Sequence, residues 1–363
     1  MPPRGRGAVI RRRRDMCKVA LAVAAVVAIA TSGALALDPN PKEMEKAFAA
    51  VAERAIGSSV AIRTYEVISE GPPRIAKALG HGSGVVVSAD GAVLTNQHVV
   101  SGATWVVVIL PDGTFLDAKV VGSDERGDLA ILRVNAGRPL RPMAIAKPGG
   151  LAPGKWAFAV GNPKGIAKTS GQLSFTVGTV SGIGRDMTGK LKDRPGLYGN
   201  MVECDLSIWP GSSGGPLVNS DGELCGVVTA MECPGKGLPS VTAYAIPLEG
   251  HALRSIRSML AGEPVRYGFV GVETADLDPA VRASLEIPPD VRGALVARVM
   301  EGLPAEAAGV LAGDVVTSFR GRAVPSAAAL SELVGESGAG EVAEMIVWRD
   351  GRAIELTAVV GSR

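Results

Sequence analysis

The sequence predicts a mainly β protein built on closed antiparallel barrels. Short runs rich in β-branched residues alternate with turn residues from Val60 to about Ile145, and a second group of such runs extends from roughly Leu151 to Ile246. Short strands at this regular spacing favour closed barrels. The 47 glycines and the aromatic content of 4% suit a turn-rich fold. The runs that predict the first barrel are Ser59 to Thr64, Gly84 to Ser88, Ala92 to Thr95, Trp105 to Leu110, Lys119 to Ser123 and Leu129 to Val134.

Residues 1–36 have the pattern of an export signal. Arg11 to Arg14 are basic, Val19 to Ala30 are apolar, and Ala34-Leu35-Ala36 has the small-x-small pattern that a signal peptidase recognises. The segment predicts a periplasmic or extracytoplasmic protein. Two alternatives stay open. Arg13 to Lys18 loosely resembles a twin-arginine signal, and the apolar stretch extended to Leu37 approaches the roughly 20 residues that cross a bilayer, which allows an uncleaved membrane anchor.

A leader helix is predicted within residues 37–58. Apolar residues recur there at the helical period after proline punctuation. They are Met44, Ala47, Phe48, Val51, Ala52 and Ile56. We expect this helix to pack on the first barrel.

Composition and charge limit the size of the protein and exclude nucleic-acid binding on electrostatic grounds. The chain has 363 residues, of which 47% are hydrophobic and 20% charged, so it is long enough for two or more domains with real cores. The net charge is only +2, and much of the excess lies in the first 18 residues. The remainder gives no electrostatic basis for binding nucleic acid.

Three cysteines follow the leader: Cys204, Cys225 and Cys233. In an oxidising compartment they allow one disulfide and one free thiol, and the sequence does not say which pair would form it. Buried thiols acting as small apolar groups are the alternative. No histidine lies beside them, so their spacing gives no zinc pattern. The chemistry inferred below from other residues requires neither a metal nor an organic cofactor.

The candidate nucleophile lies in the segment Trp209-Pro210-Gly211-Ser212-Ser213-Gly214-Gly215-Pro216-Leu217. A serine among glycines, flanked by two prolines, has an exposed hydroxyl and a sharply bent backbone that directs neighbouring N–H groups at one point. An acyl-transfer nucleophile needs that arrangement. A solvated glycine-rich turn is the alternative for such a motif on its own.

The residues upstream favour the catalytic interpretation. His98 ends one apolar run and Asp128 begins another, so the three groups occur in the order His98, Asp128, Ser213. An α/β-hydrolase would place the acid and the histidine after the serine, with only His251 available there, and a helix after the serine. Here a β-hairpin pattern with a turn at 219–222 follows instead. The order is that of a chymotrypsin-type double β-barrel.

Each candidate residue has a role in this chemistry. His98 would take the proton of Ser213 Oγ and return it to the leaving amine, and Asp128 would fix the histidine tautomer. The N–H groups of Gly211 and Ser213, with Ser212 as a third candidate, would form the oxyanion hole.

Leu206, Ser207 and Ile208 are the predicted substrate pocket. Ser207 stands six positions before the nucleophile, where a trypsin-like pocket places an aspartate. We therefore expect small or medium aliphatic side chains before the scissile bond rather than basic ones.

A second glycine-rich cluster, Gly80-His81-Gly82-Ser83-Gly84, suggests a nucleotide loop at first sight. It opens a β-branched run, whereas a dinucleotide site needs a helix at that point. We interpret His81 as a loop residue.

Taken together, the motifs resemble the HtrA (DegP/Deg) family of serine proteases, and the resemblance extends from about residue 55 to the C-terminus. The family usually has asparagine where this chain has Ser212, a change at the floor of the oxyanion site that predicts an altered rate. The matching motifs occur in family order: Gly82 to Val87, Asp90-Gly91, Thr95 to Val99, Asp128 to Leu132, Val160 to Pro163, Gly211 to Leu217 and Ala245 to Pro247.

The resemblance implies a protease domain at 59–262 and a PDZ domain at 263–363. The PDZ-like motifs are Tyr267 to Val272, Gly302 to Val310, Gly313 to Val316, and Val342 to Arg349 with the hairpin turn Asp350-Gly351. By resemblance, Phe269, Val270, Gly271 and Val272 form the loop that grips a C-terminal carboxylate while the peptide adds as a strand.

The resemblance also implies assembly, regulation and substrates. It predicts a homotrimer or a higher multiple, with contacts from the segment before the barrel, and a sensor loop at 184–200. Unfolded proteins are the implied substrates. Two functions remain open: an exported, ATP-independent endopeptidase of protein quality control, or a catalytically weak or inactive chaperone or scaffold of the same fold.

Overall fold

A computed structural model describes residues 40–69, 71, 75–168, 170–187, 198–232 and 242–362. The predicted signal at 1–36 and Cys233 lie outside the described residues. The chain divides into two compact units, residues 1–48 and 49–363.

The predicted leader helix is present as α1 (Pro41–Gly57). Within the second unit, Val51 and Ala55 of this helix are buried, and Arg54 donates a hydrogen bond to the carbonyl of Asp221 at 3.1 Å.

The first barrel is closed and antiparallel. Its six strands are β1 (Ser59–Ser69), β2 (Ile75–Val86), β3 (Ala92–Thr95), β4 (Trp105–Ile109), β5 (Phe115–Asp124) and β6 (Leu129–Val134). They are hydrogen-bonded in the order β1-β2-β3-β6-β5-β4. A short helix, α2 (Gln97–Val100), follows β3. Alternating inward residues such as Val60 and Ile62 on β1 fill the interior.

The second barrel has the same arrangement. Its strands are β7 (Trp156–Gly161), β8 (Ser174–Arg185), β9 (Met201–Cys204), β10 (Pro216–Val218), β11 (Leu224–Glu232) and β12 (Thr242–Pro247). They close in the order β10-β11-β12-β9-β8-β7. A 3₁₀ helix, Pro163–Lys168, lies between β7 and β8. The predicted mainly β fold with two barrels is confirmed.

Helix α3 (Gly250–Ala261) leads from the second barrel into a third, smaller β-rich domain. The elements are β13 (Gly268–Phe269), β14 (Val272–Asp276), α4 (Pro279–Ser284), β15 (Ala294–Val299), α5 (Pro304–Ala307), β16 (Val315–Phe319), β17 (Arg322–Ala323), α6 (Ala327–Gly335), β18 (Val342–Arg349), β19 (Arg352–Val359) and β20 (Gly361–Ser362). The main sheet has six strands, five in the order β14-β15-β16-β18-β19 and β17 paired with β16, and β13 pairs with β20 separately. The helix α6 packs its Leu330 and Leu333 on the core of this sheet.

Polar contacts join α3 to α6. His251 Nδ1 lies 2.8 Å from Glu332 Oε2, and both side chains are nearly buried, with 5% and 10% exposure. Arg254 donates to the carbonyls of Gly335 and Glu336 at the C-terminal end of α6, where unpaired carbonyls favour a cation. These contacts attach the third domain to the helix at the end of the protease region.

The described cysteines form no disulfide. Cys204 and Cys225 are both free and buried. Burial raises the pKa of the Cys204 thiol to about 12 and that of Cys225 to about 11. For these two residues the structure supports the alternative of buried thiols. Among the described residues, no helix combines the length and the apolar character needed to cross a membrane.

Candidate active site

His98 and Asp128 meet at the end of the first barrel. His98 lies in α2, directly after β3, and Asp128 lies directly before β6, the partner of β3. The histidine Nδ1 is 2.9 Å from both Oδ1 and Oδ2 of Asp128, and the His98 backbone N–H donates to Oδ1 at 3.1 Å. An Nδ1–H donated to the carboxylate leaves Nε2 as the basic ring atom.

Asp128 is held in a constrained position. Its φ is +51°, a left-handed conformation that a few non-glycine residues adopt, aspartate more readily than most. The Asn96 side-chain amide donates to its carbonyl at 2.9 Å, and the Thr229 hydroxyl donates to Oδ2 at 2.6 Å. The backbone and the carboxylate of Asp128 are therefore both anchored.

The electrostatics of Asp128 keep it ionised. Its side chain is only 2% exposed, whereas that of His98 is 20% exposed. Burial alone would raise the pKa of Asp128. Hydrogen bonds from the His98 ring, the Thr229 hydroxyl and the His98 N–H, together with the attraction of His98, outweigh burial and lower the pKa below its ordinary value.

Ser213 belongs to the second barrel and is connected to the His98–Asp128 pair. Its Oγ donates to the carbonyl of Thr229 at 3.4 Å, and the hydroxyl of that threonine is the group bonded to Asp128. Gly211 and Gly214 on either side have φ of +103° and +86°. Only glycine adopts such angles easily, and they produce the sharp turn around the serine. Thr229 thus connects Ser213 to the His98–Asp128 pair.

Two N–H groups of the serine turn are free of acceptors. Neither the Gly211 nor the Ser213 amide has a hydrogen-bond acceptor among the residues that the structure describes. The Ser212 N–H donates to the Trp209 carbonyl at 2.9 Å. Ser212 therefore closes the turn and does not supply the third oxyanion donor that the sequence suggested, which corrects that assignment.

A hydrogen bond to the preceding carbonyl group fixes the orientation of the Gly211 N–H. The Pro210 carbonyl accepts a hydrogen bond from the Lys164 N–H at 2.8 Å. Because a trans peptide directs its C=O and N–H to opposite sides, this bond turns the Gly211 N–H away from Lys164. The Lys164 ammonium also lies 3.7 Å from the centroid of the Trp209 ring. The 3₁₀ segment thus holds the serine turn by its backbone and by its side chain.

Ser83 joins the two barrels beneath this turn. Its N–H donates to the Ser213 carbonyl at 2.8 Å and its hydroxyl to the Gly211 carbonyl at 2.7 Å. The same hydroxyl accepts from the Asn162 N–H at 2.8 Å. Ser83 is 1% exposed and Asn162 fully buried, so water does not compete for these bonds.

A cavity of about 360 Å³ borders the serine turn on the side of Ser212. Ser207 and Ile208 line it together with Trp209, and no acidic side chain does. Leu206, the third predicted pocket residue, is 0% exposed and belongs to the core of the second barrel. It is absent from the lining of this cavity, so its assignment to the pocket is wrong: a side chain enclosed by the barrel core presents no surface to a substrate. Whether the cavity receives substrate stays a prediction.

Comparison with known proteins identifies the family. Residues 82–227 match the trypsin-like peptidase domain, and residues 268–360 match the PDZ domain. The chain is 35% identical over 294 residues to the serine protease HhoA of Synechocystis sp. (strain ATCC 27184 / PCC 6803 / Kazusa), covering 79% of this chain and 72% of that one. A solved HtrA-type protease, AlgW with a decapeptide, superposes with a TM-score of 0.70 at 30% identity, covering 87% of this chain and 98% of the other. The chain belongs to the HtrA family of serine proteases.

Other relatives are longer than this HtrA-family chain. A periplasmic serine endoprotease of the DegP-like type from Brucella suis biovar 1 (strain 1330) is 36% identical over 287 residues, covering 79% of this chain but 53% of the relative. The chain thus spans about half the length of that protein.

The third domain of the HtrA-family chain is a PDZ domain, as the sequence indicated.

The predicted carboxylate loop lies between β13 and β14 of the PDZ domain. Val270 is buried in the domain core, and its carbonyl accepts from Ala305 at 2.8 Å. Gly271 has a φ of +85° and approaches Leu303 closely. Val272 begins β14, which ends the main sheet on one side and therefore offers an edge for an added strand. Phe269 lies in β13.

The proposed sensor loop at 184–200 is described only at its ends. Residues 188–197 lie outside the described residues. The Met187 N–H donates to the Tyr198 carbonyl at 2.8 Å, and Asn200 donates to Glu249 at 3.3 Å.

Sequence reasoning missed three residues at this site: Thr229, Lys164 and His81. Thr229 and Lys164 have partners distant in sequence: Thr229 bonds to Asp128 of the first barrel, and Lys164 bonds to Pro210 within the second. His81 was interpreted as a loop residue, but it lies in β2, and its ring is next to Gly211. The sequence signal for His81 was its position in a glycine-rich run directly before a strand.

Proposed function

We propose that this protein is an exported, ATP-independent serine endopeptidase that cleaves unfolded or misfolded proteins. The observation that carries the proposal is the connected set His98–Asp128–Thr229–Ser213, assembled from both barrels beside two N–H groups without acceptors. Ionised Asp128 fixes the His98 tautomer, and Nε2 removes the proton as Ser213 Oγ attacks the carbonyl carbon.

The remaining steps follow from the same geometry. The carbonyl oxygen gains negative charge in the tetrahedral intermediate, and the Gly211 and Ser213 N–H groups donate to it. His98 then gives its proton to the leaving amine, which departs and leaves an acyl group on Ser213. Water, deprotonated by His98, releases the acyl group in the second half of the reaction.

Substrates, partners and location form part of the proposal. We propose that the PDZ domain binds C-terminal peptides along β14, that the chain assembles as a homotrimer or higher multiple, and that it works in the periplasm or a similar compartment. Support comes from the family membership, from the open edge of β14, and from relatives whose names describe periplasmic endoproteases.

A fluorophosphonate probe tests the proposal most directly. We expect the purified protein to be labelled on Ser213, and we expect Ser213→Ala to abolish both labelling and cleavage of an unfolded protein. Ser220→Ala, in an exposed turn close by in sequence, is the matched control and should behave like the wild type. Absence of labelling in the folded wild type would favour the chaperone or scaffold alternative.

A further inference from the structure

An exposed imidazole stands at the edge of the candidate oxyanion site. His81 lies on β2, and its ring packs against two glycines of the second barrel. A Cβ added to Gly211 would lie 2.6 Å from His81 Cδ2 and 2.9 Å from Nε2, and one added to Gly165 would lie 3.2 Å from Cγ. The ring is therefore held in place by backbone contacts although it is open to solvent.

The neighbouring residues of β2 define which side of the site His81 occupies. A Cβ added to Gly82 would lie 2.5 Å from the side chain of Val99, the residue after His98, and 3.2 Å from the Ser213 carbonyl oxygen. Ser83 donates to that same carbonyl. The strand thus contacts both the helix of His98 and the serine turn. Because the leaving amine departs toward His98, the substrate residues after the scissile bond pass over this strand.

The surroundings of His81 are cationic. Arg63 is the cross-strand neighbour of His81 and shares its face of the sheet, and Lys164 precedes Gly165. In the described part of the chain, no acidic side chain forms an ion pair with Arg63, Lys164 or His81. Uncompensated positive charge at a cleft attracts anionic groups, and an imidazole offers an N–H donor in either protonation state.

We propose that His81 is a specificity-determining residue that selects substrates with an acidic side chain in the first two positions after the scissile bond. The inference rests on the proposed endopeptidase function. The ring N–H donates to the substrate carboxylate, and Arg63 with Lys164 provides the positive field around it. Because His81 does not touch the reacting atoms, its effect falls on substrate binding rather than on the chemical step.

The test compares cleavage-site profiles of full-length variants. Each protein digests a proteome-derived peptide library, and mass spectrometry identifies the residues on both sides of every cut. We expect wild type to favour Asp and Glu after the cut, His81→Ala to lower that preference about 1.5- to 5-fold, as expected for one exposed charged contact, and His81→Gln, which keeps an N–H donor, to restore most of it. Lys77→Ala, an exposed charge removed from the same strand, is the control and should leave the profile unchanged.

Kinetics with two peptides that differ only by Asp or Asn after the cut complete the test. For His81→Ala we expect KM for the Asp peptide to rise while kcat stays within about twofold. An unchanged profile in His81→Ala, or an equal change in Lys77→Ala, would overturn the inference and leave the endopeptidase proposal intact. Failure of the wild type to cut any peptide would overturn both.

Discussion

The contact between Thr229 and Asp128 offers the sharpest test of how the site is held together. The Thr229 side chain is 1% exposed and donates at 2.6 Å to a carboxylate that is itself buried. We consider Thr229→Val, which keeps the shape and removes the hydroxyl. A hydrogen bond to a charged group contributes about 1.5–3 kcal/mol. For a protease region of this size, each kcal/mol shifts Tm by about 2–4 °C, so we expect a decrease of about 3–12 °C at pH 7.

The decrease should depend on pH in a defined direction. Asp128 has a lowered pKa in the folded protein. Its stabilising contribution is therefore present above the unfolded value of about 3.9 and is lost as the pH falls through the lower folded value. We expect the Tm difference between wild type and Thr229→Val to be constant from pH 8 to pH 5 and to narrow below about pH 4.

Calorimetry across this pH range is the assay, with peptidase kinetics in parallel. The loss in kcat/KM should not exceed the hydrogen bond itself, which corresponds to about 10- to 150-fold. For the Tm measurement alone, Thr176→Val is a matched control, since that hydroxyl makes only a 3.5 Å contact with a neutral carbonyl in the same barrel. A Tm difference that persists unchanged at pH 3 would show that packing, and not the charged hydrogen bond, explains the effect of Thr229.

Three further predictions concern the serine turn, the thiols and the domain contact. Gly211→Ala should lower kcat about 100- to 1,000-fold in a peptidase assay, because a Cβ there would lie 2.3 Å from the Asn162 carbonyl oxygen and 2.6 Å from the His81 ring. The turn, whose φ of +103° also disfavours alanine, would shift and displace an oxyanion donor. Cys204 and Cys225, whose thiol pKa values are raised by burial, should resist iodoacetamide at pH 8 in the folded protein and react in urea, as peptide mapping would show. His251→Ala should destabilise the protein by about 3–5 kcal/mol in denaturant unfolding, because it leaves Glu332 buried without its partner, and adding Glu332→Ala should recover part of that loss.

Local signals in the sequence predicted the fold correctly, and they also selected the residues proposed here as the catalytic triad. His98, Asp128 and Ser213 each sit in a short motif beside an apolar run, and their chain order alone separated two hydrolase folds. Thr229 and Lys164 carry no such motif. Their roles depend on contacts with Asp128 and Pro210, which only closure of the barrels produces.

The two wrong assignments near Ser213, those of Leu206 and Ser212, have a common physical origin. Closeness in sequence to Ser213 suggested that Leu206 lines the pocket and that Ser212 donates to the oxyanion, but position in the sequence does not determine which way a side chain or an N–H group points. The Leu206 side chain is buried in the core, and the Ser212 N–H donates a hydrogen bond to the Trp209 carbonyl. The turn conformation, set by the positive φ of Gly211, decides which groups point outward.

The catalytic geometry depends on the interface between the barrels more than on either barrel alone. His98 and Asp128 belong to the first barrel and Ser213 to the second, so their separation changes with any relative shift of the two. Ser83 opposes such a shift, because its N–H and hydroxyl bond to both sides of the serine turn while Asn162 donates to the same hydroxyl. Buried hydrogen bonds of this kind are directional, unlike apolar contacts, which tolerate sliding. A change at Ser83 should therefore disturb the alignment of nucleophile and base before it disturbs the folding of either barrel.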